Sequence, residues 1–282
     1  MGTAIAPVDS QQRFPADRGA ALATGPARSG WAENAAPGYM RRDHILSPRV
    51  DCYMKLYFSR NPNPRLAVAV ARHLEAKIEL EYASPFSPGE AEKFRPLNPN
   101  LCLPILVERG KSLWEADAIA CRLSRVAGSG FWRSGDEEPE MIRWLSWGKE
   151  NFVRACDMVH FERGTRRRYD LGNIDPRRIE EGLARFGDAC LILDAVFGER
   201  EFLVGETASY ADFRMATFLP FNDVALLPLE TFPRVLAWYS RLDAMPAWTN
   251  PFEGLNAPPL PEIPRMPEGP AQSSRPFGAT RK

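Results

Sequence analysis

The stretch NPNLCLPILVERGKSLWEADAI, Asn98 to Ile119, orders the rest of the chain around it. Leu103 to Glu108 is an apolar run of strand length. Arg109-Gly110 makes a tight turn, and Lys111 to Trp114 returns as a short antiparallel partner. A helix starts near Glu115 and runs to about Ala127. Two readings of Pro104 stand. It can simply open a strand, where its missing N–H does no harm. Alternatively the Leu103–Pro104 bond is cis, a form cheap only before proline. A cis bond would turn the Leu103 N–H and C=O toward a ligand, where an extended peptide could pair with them.

Upstream, Tyr53 to Phe58 reads as a buried strand. The turn Ser59-Arg60-Asn61-Pro62-Asn63-Pro64 follows, and Leu66, Val70 and Leu74 then recur at helical spacing. Ile78 to Tyr82 alternates apolar and acidic side chains, as a strand with one solvated face does. Strand, helix, strand favours a parallel pair with a right-handed crossover. Downstream, Gly128 to Glu138 reads as a linker, after which the period is helical throughout. One long helix is expected over 139–163, with Ile142, Leu145, Phe152, Cys156 and Val159 as its core stripe. Asp175-Pro176 opens a second helix and Ser209 to Asp212 is a capping box opening a third. Pro233 to Met245 gives a fourth. Residues 1–52, rich in Ala, Gly, Pro and Arg, are expected to be disordered, as is the proline-rich tail 255–282.

Bulk composition excludes several classes. Of the 282 residues, 36 are basic and 36 acidic, so no basic excess marks a nucleic-acid binder. No apolar run reaches the roughly 18 residues a membrane span needs. No secretory signal pattern opens the chain. Five cysteines, odd in number and without CxxC spacing, fit reduced thiols in a cytoplasmic protein. Three histidines far apart offer no metal-site spacing.

Three segments then carry a resemblance. Asn98 to Leu106 resembles the Asn-Pro-x-Gly-Lys-Val-Pro-x-Leu segment of glutathione transferases. Trp114-Glu115-Ala116-Asp117-Ala118-Ile119 is similar to their Glu-Ser-x-Ala-Ile motif, and Gly205 to Phe213 to their Ser/Thr-x-Ala-Asp capping box. The three come in family order and at family spacing. The resemblance, closest to bacterial Nu-like and theta-like members, implies an α/β thioredoxin-like half of order βαβαββα with a mixed sheet over 53–128. An all-helical bundle half over 138–254 follows it.

The resemblance also implies a site. Leu103 and Pro104 would hold the cysteinyl part of glutathione. Glu115 and Ala116, at a helix N-terminus whose free N–H groups and dipole attract a carboxylate, would hold the γ-glutamyl end. Ala116 departs from the family serine and removes a hydroxyl bond; Cys102 departs from its lysine and removes a charge. As a thiol beside the proline, Cys102 is read as buried and structural. The thiol-activating group lies in the turn after the first strand: Asn61 with Asn63, or Ser59, or Tyr57. The plainer alternative is that these are ordinary turn residues. On the long helix, Trp144, Trp147, Asn151, Arg154 and Met158 share a face that would receive the electrophile, or that merely packs between the halves. Arg163 to Arg168 is read as a solvated helix end or loop rather than an anion patch. Ser209 and Asp212 are read as structural.

The activity these readings imply is conjugation of the glutathione thiol to a small hydrophobic electrophile by a cytoplasmic homodimer. Glutathione serves as co-substrate, with no other cofactor and no metal. A glutathione-dependent disulfide reductase and a non-catalytic binding module on the same scaffold are the alternatives.

Overall fold

The computed structural model describes residues 54–264. The expected N-terminal extension, 1–52, lies outside the described residues, as does the tail beyond 264.

The first half holds β1 (Met54–Phe58), α1 (Pro62–His73), β2 (Glu79–Tyr82), α2 (Ala91–Phe94), β3 (Ile105–Glu108), β4 (Lys111–Trp114) and α3 (Ala116–Ala127). The sheet runs β2-β1-β3-β4, with β1 parallel to β2 and antiparallel to β3. Leu56 pairs with both Leu80 and Leu106 across this centre. On β1, Met54, Leu56 and Phe58 turn to the buried side, as the two-residue period of a strand requires. Tyr57 points the other way and meets Phe94 edge-on at 5.3 Å. Lys55 sits between Glu79 and Glu81 of the neighbouring strand, at 2.9 and 2.6 Å. The expected β3 is two residues shorter than the apolar run, because Leu103 and Pro104 precede the ladder.

α1 starts with prolines at its first and third positions, where a missing N–H costs nothing. Its buried side, including Leu66, Ala67 and Val70, packs on α3.

The second half is helical: α4 (Glu138–Glu150), α5 (Phe152–His160), a π-helical turn Phe161–Thr165, the three-residue α6 (Arg166–Arg168), α7 (Pro176–Val196), α8 (Tyr210–Met215), α9 (Asn222–Ala225), α10 (Pro233–Asp243) and α11 (Pro246–Thr249). The single helix expected over 139–163 is therefore two. It breaks at Asn151, whose φ of −113° and ψ of −89° leave the helical region. The Asn151 side-chain amide donates to the Trp147 carbonyl at 2.7 Å, the competition with backbone that makes Asn a poor helix-interior residue. Phe152, Cys156 and Val159 are core as expected. Ile142 is not; it is half exposed, because the break changes which side of α4 faces inward.

Residues 255–264, the start of the expected tail, are described and have no regular secondary structure. Arginines pin the segment and the turn before it. Arg60 Nε donates to the Ala257 carbonyl at 3.0 Å, and Arg72 to Pro251 and Glu253 at 3.2 and 2.6 Å. Arg168 donates to the Pro261 carbonyl at 2.8 Å and Arg167 to that of Pro264 at 2.6 Å. The cluster Arg163 to Arg168 is thus no solvated helix end. Arg163 donates to the Ala225 carbonyl, and Arg166 grips Glu162 with two bonds, at 2.6 and 3.1 Å. Glu162 is fully buried and also accepts the Asp175 N–H at 3.0 Å. It thereby joins the π turn to the N-terminus of α7.

Candidate functional site

The Leu103–Pro104 bond is cis. Among the described residues, no backbone hydrogen bond uses Leu103. A cis link just before β3 thus leaves an unpaired main-chain donor and acceptor.

Glu115 follows β4 directly and precedes α3. Its φ of 73° with ψ of 127° is a conformation that side chains other than glycine avoid. Such outliers cost about 1–3 kcal/mol and persist where the surroundings over-determine them. The kink turns the chain from sheet to helix in one residue. The first helical bond is Ile119 N–H to the Glu115 carbonyl at 3.0 Å. The N–H groups of Ala116, Asp117 and Ala118 consequently have no partner within the helix. They form a donor cluster under an exposed carboxylate, at the N-terminus of a helix of 12 residues.

Cys102 is exposed, which corrects the expectation of a buried thiol. Desolvation and the Glu115 charge nonetheless push the thiol above its ordinary value, so it stays protonated near neutral pH. That disfavours a reactive thiolate. The Glu115 effect also places the two side chains within electrostatic reach.

The turn residues divide into two groups. Ser59 is buried, and its Oγ accepts the Asn61 side-chain amide at 3.3 Å. Asn61 occupies the N-cap position of α1 without a side-chain cap bond of its own. Asn63 is exposed, and its Oδ1 accepts from Arg214 Nη1 at 3.0 Å. Tyr57 is committed to Phe94 and lies on the other side of β1 from Phe58.

Arg214 brings in residues that the sequence did not single out. Its Nε lies 3.1 Å from Asp117 Oδ1, and the same carboxylate oxygen accepts the Tyr210 hydroxyl at 2.6 Å. Burial and the Asp117 charge push the Tyr210 phenol well above its ordinary value, so it remains a donor. Asn63 of α1, Asp117 of α3 and the pair Tyr210 and Arg214 of α8 thus form one polar joint between the halves. Only the Tyr-x-Asp-x-Arg spacing around the capping box hinted at it, and that spacing alone says nothing about partners.

The face expected to hold an electrophile is less open than its composition implied. Trp144 is buried and meets Trp147 edge-on at 5.6 Å. Asn151 is spent on the helix break, while Arg154 is exposed. Met158 is buried. None of these lines the open pocket between Arg65 of α1, α10 and the segments 219–223 and 249–260.

Asp212 is fully buried. Its carboxylate accepts the Leu203 N–H at 2.9 Å, the Ser209 N–H at 2.9 Å, the Ser209 hydroxyl at 2.8 Å and Trp238 Nε1–H at 3.0 Å. Burial pushes its carboxyl up while those donors pull it down. The role is structural, and broader than a cap.

Residues 176–241 match the model of the glutathione S-transferase C-terminal domain. Among solved structures, a theta class glutathione S-transferase from Xanthomonas axonopodis pv. citri, with glutathione bound, is 22% identical. The alignment covers 73% of this chain and 99% of that one, with a TM-score of 0.61. A glutathione transferase from Populus trichocarpa is 21% identical over 72% of this chain and 99% of its own, with a TM-score of 0.65. One from Rhodospirillum rubrum F11 is 23% identical over 74% and 96%, with a TM-score of 0.63. These likenesses agree with the mixed sheet and the capping box: the chain has the glutathione S-transferase fold, and its residues 176–241 match the C-terminal domain of that family.

Proposed function

We propose that this protein binds glutathione along Leu103 and at the N-terminus of α3, and conjugates its thiol to a small hydrophobic electrophile. The observation that carries the reading is Glu115. A non-glycine residue held at φ 73° next to three unpaired helix N–H groups is a costly arrangement, and a γ-glutamyl group uses all of it. Its carboxylate takes the free N–H groups and its ammonium takes Glu115. Ala116 still donates its N–H, although its methyl cannot supply a hydroxyl bond.

Within this reading the Ser59 hydroxyl activates the thiol. Because Ser59 Oγ accepts from Asn61, its own hydrogen is directed elsewhere, toward a thiolate. Asn61 is then the positioning residue, and Asn63 holds the joint with Arg214. Neither side chain takes up the thiol proton, which leaves to water. Positioning and anion stabilisation supply the rate. A homodimer in the cytoplasm, acting on foreign electrophiles, is the setting this reading implies.

The test is thermal unfolding with and without glutathione. At 100 times its dissociation constant a ligand stabilises by about 2.7 kcal/mol. A shift with the wild type, reduced at least tenfold in affinity for Glu115→Gln, is the expected result. No shift in millimolar glutathione overturns the proposal and leaves the non-catalytic binding module. Conjugation and disulfide-turnover assays on the glutathione-binding protein then separate transferase from reductase, and Ser59→Ala should lower the rate far more than Asn63→Ala.

A further inference from the structure

The start of α1 is short of main-chain donors. Pro62 and Pro64 carry no N–H, and the Arg65 N–H is spent on the Asn61 carbonyl at 2.9 Å. Within that first turn the Asn63 N–H alone is left over. Side-chain donors therefore count for more at this helix start than at that of α3.

Arg214 decides which way the Asn63 side chain points. Its Nη1 donates to Asn63 Oδ1 at 3.0 Å. A guanidinium has donors only, so the amide atom that faces it must be the oxygen. The amide nitrogen, Nδ2, is thereby turned away from Arg214. Asn63 is exposed, and among the described residues no hydrogen bond uses its Nδ2.

The guanidinium is itself held on its other sides. Arg214 is buried. Its Nη1 also donates to Thr217 Oγ1 at 3.3 Å, and the Thr217 hydroxyl donates in turn to the Arg214 carbonyl at 2.6 Å. Its Nε lies 3.1 Å from Asp117 Oδ1, and the Tyr210 hydroxyl donates to that same oxygen at 2.6 Å. One buried side chain of α8 thus grips the first turn of α1 through Asn63 and the first turn of α3 through Asp117. In the glutathione reading, the thiol lies at the first of these turns and the γ-glutamyl group at the second.

We propose that Arg214 is a positioning residue for thiol activation: it fixes Asn63 with its NH2 toward the bound thiolate, as a second donor beside the Ser59 hydroxyl. This role presupposes glutathione binding as described above, and adds the residue that orders the thiol end. The Asn63 amide only donates a hydrogen bond, so the thiol proton still leaves to water. A donor to the charged form lowers the thiol pKa, and one already held in place needs no reorganisation when the anion forms.

The ultraviolet absorbance of the bound glutathione thiolate, titrated with pH on the full chain, tests this. Asn63→Ala should raise the thiol pKa by about half a unit or more and leave glutathione affinity within about threefold. Arg214→Met should raise the pKa similarly. Placed on top of Asn63→Ala, it should raise it no further, since the donor that it aims is already gone. An equal rise with and without Asn63 would mean a general structural role and would overturn the proposal. A wild-type thiol pKa in folded Asn63→Ala or folded Arg214→Met would overturn it too. Should Arg214→Met fail to fold, Arg214→Lys takes its place: a single ammonium cannot hold Asp117 and Asn63 in the geometry of the fork, so the pKa should rise there as well. If neither folds, Asn63→Ala, at an exposed position, decides alone. A wild type that binds no glutathione overturns this role and the glutathione reading together. A wild type that binds it, with a thiol pKa indifferent to Asn63 and Arg214, overturns this role only.

Discussion

Replacing Asp212 by alanine should be among the most damaging single changes in this protein. The carboxylate is fully buried and accepts four hydrogen bonds, from Leu203, from both the N–H and the hydroxyl of Ser209, and from Trp238. Loss of an exposed cap alone costs about 0.5–2 kcal/mol. Here alanine strands donors on residues that are themselves buried, at about 1–3 kcal/mol for each one left unsatisfied. The Ser209 hydroxyl can rotate to another acceptor; the two backbone N–H groups and the indole cannot. Three stranded donors set the loss at about 4–5 kcal/mol. For a domain of this size that is a fall in melting temperature of about 10 °C or more. Asp212→Asn keeps one acceptor oxygen but turns an NH2 toward the Ser209 donors, so it should lose roughly half as much. Trp238→Phe removes one donor while the carboxylate keeps its other bonds, and should cost least of the three. Urea unfolding of all three variants, followed by circular dichroism, reads the order directly. An alanine variant within about 1 kcal/mol of wild type, or an asparagine variant no better than alanine, would refute the reasoning.

His160 is buried among Phe218 and Phe221, and burial holds its imidazole down at about 4. The unfolded chain therefore binds a proton that the folded one refuses. This contribution is fully present above the ordinary histidine value and is lost as pH falls toward 4, by roughly 3 kcal/mol in all. His160→Phe should flatten that part of the pH–stability profile; an unchanged slope between pH 6.5 and 4.5 would be the contrary result. Arg214→Met should cost about 2 kcal/mol, less than a wholly buried pair because the Asp117 side chain is 33% exposed. A double-mutant cycle with Asp117→Asn should show coupling, whereas simple additivity would mean the joint carries no energy. Replacing both Arg167 and Arg168 by alanine should free the segment after Leu255. A glutamate-specific protease should then cut after Glu262 several-fold faster while global stability changes little; unaltered cleavage would mean that Arg60 and Arg72 suffice to hold it.

Local signals were enough for the first half of the fold. The alternation in Ile78 to Tyr82, the Arg109-Gly110 turn and the proline of Leu103–Pro104 depend on neighbours a few residues away, and the structure has the elements they indicate. The same holds for Ser209 to Asp212, where cap and capped residues lie three apart. The long helix was less legible. Its period continues through residue 151, so nothing in the pattern marks a break produced by one side chain bonding to the preceding turn.

What only the tertiary structure decided is which polar groups meet. The sequence offered Asn61 with Asn63, or Ser59, or Tyr57, around one turn. Folding paired Ser59 with Asn61, gave Asn63 to Arg214, 151 positions away, and set Tyr57 against Phe94. It spent the arginines of 163–168 largely on carbonyls of distant segments, exposed Cys102, and buried Arg65 with a donor unused. A hydrogen bond is set by distance and angle between groups that the chain brings together from far apart. Hydrophobic periodicity, by contrast, is written along the backbone, so it could specify the elements and leave their polar partners open.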